Sequence, residues 1–71
     1  MKSLATFVKE KRKLAGLTQE EFAERSGVAL TVIRKIEQGK DNLNLSSANE
    51  VLLMFGHILA PVSTKDIQDT D

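Results

Sequence analysis

The sequence offers little from which to assemble a catalytic centre. It holds no cysteine and a single histidine, His57, with no second ligand close to it, so neither a thiol nucleophile nor a structural metal is expected. No nucleophile–base pair, catalytic carboxylate pair or phosphate-cradling glycine loop can be drawn from it, which argues against an enzyme. Thr31, Arg34, Lys35 and Gln38 are the residues whose types and spacing do suggest chemistry. They fall at i, i+3, i+4 and i+7, on one face of a helix, and combine two cations with two hydrogen-bonding side chains. Lysine or arginine can donate to guanine O6 and N7, and a threonine methyl can pack on a thymine methyl. A solvated helix face has the same composition, so the pattern alone leaves both readings open.

That face needs elements to hold it outward. Leu4, Phe7, Val8, Leu14 and Ala15 fall mostly at helical spacing, with Ser3 as a cap and Gly16 as the stop of a first helix. Thr18-Gln-Glu-Glu reads as a capping box, in which the Thr18 hydroxyl takes the Glu21 N–H and the Glu21 carboxylate reaches back. The second helix so begun buries Phe22 and Ala23 and ends near Ser26-Gly27, where glycine suits a left-handed turn. Val28 plugs the core beneath that turn. A third helix over about Leu30 to Gln38 turns Val32, Ile33 and Ile36 inward and stops at Gly39. After a polar loop over residues 40–45, Ser46 or Ser47 caps a fourth helix carrying Ala48, Val51, Leu52 and Phe55, ended by Gly56. A capped helix, a glycine turn and a second short helix suit a pair in which the second lies in a major groove.

The stretch LTQEEFAERSGVALTVIRKIEQGKDNLNL resembles the lambda-repressor-like helix-turn-helix family, also called XRE or Cro/cI-like. The residues that carry the resemblance are Leu17, Thr18, Gln19, Phe22, Ala23, Gly27, Val28, Ile33, Ile36, Glu37 and Gly39, and it spans about residues 4 to 56. It implies an all-α, compact four-helix DNA-binding domain and a transcriptional regulator, most simply a homodimeric repressor on double-stranded operator DNA. By the same resemblance, Thr18 and Gln19 lie where the second helix's start holds a DNA phosphate, a natural anion site at a helix N-terminus. Ala29, Leu30, Thr31 and Lys35 match base-reading positions, with Arg34 on their flank, and Gln38 and Lys40 match phosphate-gripping ones. Arg12 and Glu37 match a structural ion pair tying the first helix to the end of the third. Two departures stand out: Ala29 occupies the third helix's cap position in place of Ser or Thr, and Leu30 cannot hydrogen-bond a base. Readout then leans partly on DNA shape and on two-fold doubling of contacts. A protein-interaction module on the same fold, without DNA binding, is the alternative.

The formal charge is zero, yet it is unevenly spread: up to Ser63 there are nine Lys/Arg against seven acids, and the last eight residues carry Lys65 against three aspartates. Residues 1–63 are therefore expected to form the domain, and residues 64–71 an acidic, disordered tail. No export signal or apolar run of membrane-spanning length is read, and a cytoplasmic protein is the default.

Residues 57–62, HILAPV, are too short and too β-branched for a helix and are expected to form a strand, with Ile58, Ala60 and Val62 sharing a face. A lone strand lacks a ladder partner. Either it pairs with its copy in a second subunit, or the segment packs on its own core. Pairing across a dimer is the expectation, and Phe55, His57, Ile58, Leu59, Ala60 and Val62 are the dimerisation residues. A strand after the fourth helix also resembles antitoxins of the HipBA type, which implies a HipA-like kinase toxin as partner and autoregulation. No cofactor is expected.

Overall fold

The computed structural model describes residues 2–66. Four α-helices follow one another: α1 (Leu4–Leu14), α2 (Gln19–Ser26), α3 (Leu30–Glu37) and α4 (Leu45–Leu53), with a single 3₁₀ turn at Thr64–Asp66. Local chemistry sets most boundaries. Ser3 caps α1 by accepting the Thr6 N–H at 3.2 Å, and Thr18 caps α2 through a complete capping box with Glu21. Gly27 ends α2 with φ of 73°, a left-handed conformation in which a side chain would be strained. The turn beyond it drops Val28 into the interior.

The core joins Val8 of α1, Phe22 of α2, Val28 of the turn, Ile33 and Ile36 of α3, and Val51 and Leu52 of α4. Leu4, Phe7, Leu17, Val32, Phe55 and Leu59 pack against its edge. α3 packs on both α1 and α2, so one side of it is built into the protein and the other faces out. None of these helices exceeds 11 residues. Segments so short are marginal alone in water and owe their helicity to this shared burial.

Two local expectations are corrected. α4 is capped by Asn44, whose Oδ1 accepts the Ser47 N–H at 3.2 Å, and not by Ser46 or Ser47, which lie inside the helix. Asparagine is among the strongest caps, and its backbone here is already extended. Leu14 falls with the apolar positions at helical spacing in α1 but does not share their burial. It is 81% exposed, because it sits on the final residue of α1 where the helix runs past the packed region.

The second correction concerns the C-terminal segment. Among the described residues there is no strand, and residues 57–63 carry no regular secondary structure. Leu59, not Ile58, turns onto the core, and its N–H donates to Asn49 Oδ1 at 2.8 Å. The His57 N–H donates to Leu52 O at 3.0 Å, and its ring lies against Phe7 with centroids 4.6 Å apart. A strand is defined by a neighbouring strand, and within one chain the segment meets α1 and α4 instead. Of the expected tail, residues 64–66 form the 3₁₀ turn and residues 67–71 lie outside the described residues.

Candidate nucleic-acid interface

The outward side of α3 arises from the same eight residues that build its inward side. Ile33 and Ile36 are essentially inaccessible and Glu37 is buried, whereas Thr31, Arg34 and Lys35 are exposed, as is Gln38 just beyond the helix. Ala29 is exposed and Leu30 half-buried at its start, and Lys40 is exposed past its end. Among the described residues the ion pairs are Lys2–Glu10 and Arg12–Glu37, so Arg34, Lys35 and Lys40 carry charges that no acid neutralises at close range. Arg34 and Lys35 also sit in the last turn of α3, where a helix dipole favours cations.

The start of α3 differs from its siblings. Ala29 has the extended backbone of a cap, but no side-chain hydrogen bond closes the first turn. Its carbonyl instead accepts the Val32 and Ile33 N–H groups at 2.9 and 3.1 Å. The start of α2 is the reverse case. The Thr18 hydroxyl accepts the Glu21 N–H at 3.1 Å, and the Glu21 carboxylate accepts the Thr18 N–H at 2.8 Å. The bond from the Thr18 backbone N–H and, after it, the Thr18 hydroxyl hold the Glu21 carboxyl below its ordinary pKa.

Beneath the start of α2 and the end of α3 lies a buried ionic hub. Arg12 Nε donates to Glu37 Oε2 at 2.7 Å and Arg12 Nη2 to Glu37 Oε1 at 3.0 Å, the two-pronged geometry that a guanidinium offers a carboxylate. Arg12 Nη1 donates to Leu17 O at 2.9 Å, so the same side chain pins the loop before α2. The Glu37 side chain is only 2% exposed and that of Arg12 only 13%. Burial pushes the Glu37 pKa up, but hydrogen bonds from Arg12 and Gln19, with the charges of Arg12 and Lys9, outweigh it and hold the carboxyl below its ordinary value. Arg12 moves the opposite way, raised first by its hydrogen bond to Glu37.

One feature of this hub escaped the sequence. Half-buried Gln19 donates from Nε2 to Glu37 Oε1 at 3.1 Å, linking the first residue of α2 to the last of α3 across 18 positions. No local pattern announces such a bond, although a Gln at the helix start and a buried acid could have been paired once the crossing of the two helices was known.

A family model described as helix-turn-helix matches residues 8–56. The chain belongs to the XRE-like helix-turn-helix family. It is also 40% identical, over 53 residues, to an uncharacterized HTH-type transcriptional regulator of Methanothermobacter thermautotrophicus, an alignment covering 75% of this chain and 77% of the relative. In this helix-turn-helix protein the matched span runs from Val8, the buried residue of α1, to Gly56, just after α4. It thus takes in the whole core and every residue of the α2–α3 unit. The segment from His57 onward lies beyond it. Among the described residues no group of His, Cys, Asp and Glu could hold a metal, and no helix is long and apolar enough to cross a membrane.

Proposed function

We propose that this helix-turn-helix protein is a DNA-binding transcriptional regulator that acts as a homodimeric repressor. The observation that carries the proposal is the outward face of α3, where Thr31, Arg34, Lys35 and Gln38 are exposed and the cations have no acidic partner among the described residues. Thr31 and Lys35 read base edges in the major groove, with Arg34 alongside and the Ala29 and Leu30 methyl groups against thymine. Gln38 and Lys40 grip the phosphates beyond the helix, and Thr18 and Gln19 hold a phosphate at the start of α2. The Arg12–Glu37 pair keeps α1 and α3 in the register this requires.

The dimer is supported by apolar surface that one chain leaves uncovered. Val62 is 45% exposed, and Ile58, 65% exposed, lines a groove of about 440 Å³ together with Leu4, Phe7, Leu52, His57 and Leu59. A second copy would bury both, and two-fold symmetry would place operator half-sites about one helical turn apart. The strand that suggested a HipA-like toxin as partner does not form among the described residues of one chain.

Binding to fragments of the protein's own upstream region, measured from about 50 to 200 mM salt, tests the proposal. Several phosphate contacts predict a steep loss of affinity across that range. A flat response, or no binding, would favour an interaction module that has kept the fold without the grip on DNA.

A further inference from the structure

We infer that Glu37 is a positioning residue for DNA binding: through its bond to Gln19 it sets which end of that amide is offered to the phosphate backbone. The inference rests on the DNA-binding proposal above. A carboxylate only accepts hydrogen bonds, and an amide has one accepting and one donating end. Glu37 Oε1 lies 3.1 Å from Gln19 Nε2, so the donating end is the one held against the carboxylate. The carboxylate cannot turn away to release it, because both of its oxygens are also fixed by the Arg12 fork, Oε2 at 2.7 Å and Oε1 at 3.0 Å.

The consequence concerns the second Nε2 hydrogen. A phosphate oxygen, like a carboxylate, only accepts, so a Gln19 that presented its carbonyl oxygen there would repel it. With Nε2 anchored on Glu37, the remaining N–H stays at the start of α2, next to backbone N–H groups that favour an anion. Arg12 and Glu37 thus do more than tie α1 to α3. They supply the fixed point against which a half-buried, flexible side chain on a third element is aimed, and the ordering cost of that side chain is met in the free protein rather than on binding.

The test is a cycle of Gln19→Ala, Glu37→Gln and the double variant, read by DNA affinity at fixed salt and low temperature, with folding checked by circular dichroism. Glu37→Gln should weaken binding about tenfold when Gln19 is present and less than about twofold when residue 19 is alanine. Equal losses in both backgrounds would overturn the inference, because Glu37 would then act through the fold and not through Gln19. Should Glu37→Gln fail to fold, Glu37→Asp replaces it in the same cycle, keeping the charge for Arg12 while withdrawing the carboxylate by one methylene. Nitrogen-edited NMR of the free protein gives a reading without DNA: the Gln19 side-chain amide signals should shift strongly in the Glu37 variant, and unmoved signals would overturn the inference. A wild-type protein that binds no DNA sinks the broader proposal instead, which the cycle distinguishes from additive losses in a protein that does bind.

Discussion

Replacing Ala29 by serine should stabilise the protein, and the structure sets the size of the effect. α1, α2 and α4 each begin with a side chain that accepts the N–H three residues on: Ser3 from Thr6 at 3.2 Å, Thr18 from Glu21 at 3.1 Å, Asn44 from Ser47 at 3.2 Å. In α3 the matching donor is Val32, and Ala29 has nothing to offer it but a carbonyl at 2.9 Å. The backbone at Ala29, φ −59° and ψ 143°, already has the extended form of a cap, so serine needs no rearrangement. A cap of this kind contributes about 1 kcal/mol. The existing Val32–Ala29 bond reduces the gain to about 0.5–1 kcal/mol, a rise in Tm of roughly 2–8 °C for a domain of this size. Thermal unfolding followed by circular dichroism, at one protein concentration because association shifts the midpoint, measures it. Thr18→Ala is the control and should lower Tm, since it removes the hydroxyl that accepts the Glu21 N–H. An Ala29→Ser protein with native helicity and an unchanged or lower Tm would refute the reasoning.

Other consequences are equally measurable. Phe22 is fully buried, and Phe22→Ala should cost about 3–5 kcal/mol out of a total of about 4–10 kcal/mol, leaving a chain that melts far earlier or not cooperatively; a wild-type melt would contradict the core assignment. Because the folded state holds the Glu37 carboxyl below its ordinary value of 4.5, its contribution to stability is complete above that pH and is lost as pH falls toward the depressed folded value. Urea melts across the acid range should therefore slope more steeply for wild type than for Glu37→Gln, and parallel curves would remove Glu37 from the account. Thr31→Ala and Lys35→Ala should alter which sequences are preferred, whereas Gln19→Ala should weaken all sequences alike; the same uniform loss for all three, in binding to a panel of operator variants, would contradict the division of roles. Ile58→Asp should shift the protein toward monomer in sedimentation at micromolar concentration, and an unaltered dimer would place the interface elsewhere.

The parts of the fold written in neighbouring residues could be read from the chain. Ser3, the Thr18 capping box and Gly27 act within one turn of themselves, so α1 and α2 begin and end where those residues place them. The interior positions Phe22, Val28, Ile33 and Ile36 follow from periodicity and the turn. Where neighbours compete, local rules lose force: Asn44, Ser46 and Ser47 are all able caps, and the path of the incoming loop selects Asn44. Leu14 has the right type for burial, but on the final residue of α1 it stands 81% exposed. Residues 57–63 show the same limit more plainly. Their alternation suggested a strand, yet Asn49, ten residues before Leu59, takes the N–H that a ladder would have used. The Gln19–Glu37 bond, too, exists only once α2 and α3 cross.

The interleaving within α3 has a corollary. Ile33, Ile36 and Glu37 lock the rotation of this helix about its own axis, while Thr31, Arg34 and Lys35 contribute nothing to the interior. Altering the outward set changes folding by roughly half a kcal/mol per site, as at ordinary surface positions. Under the proposed reading of DNA by this face, trading those few side chains changes the preferred target while each new set is delivered at an unaltered angle. Swapping them with a relative's should transplant its sequence preference onto this body.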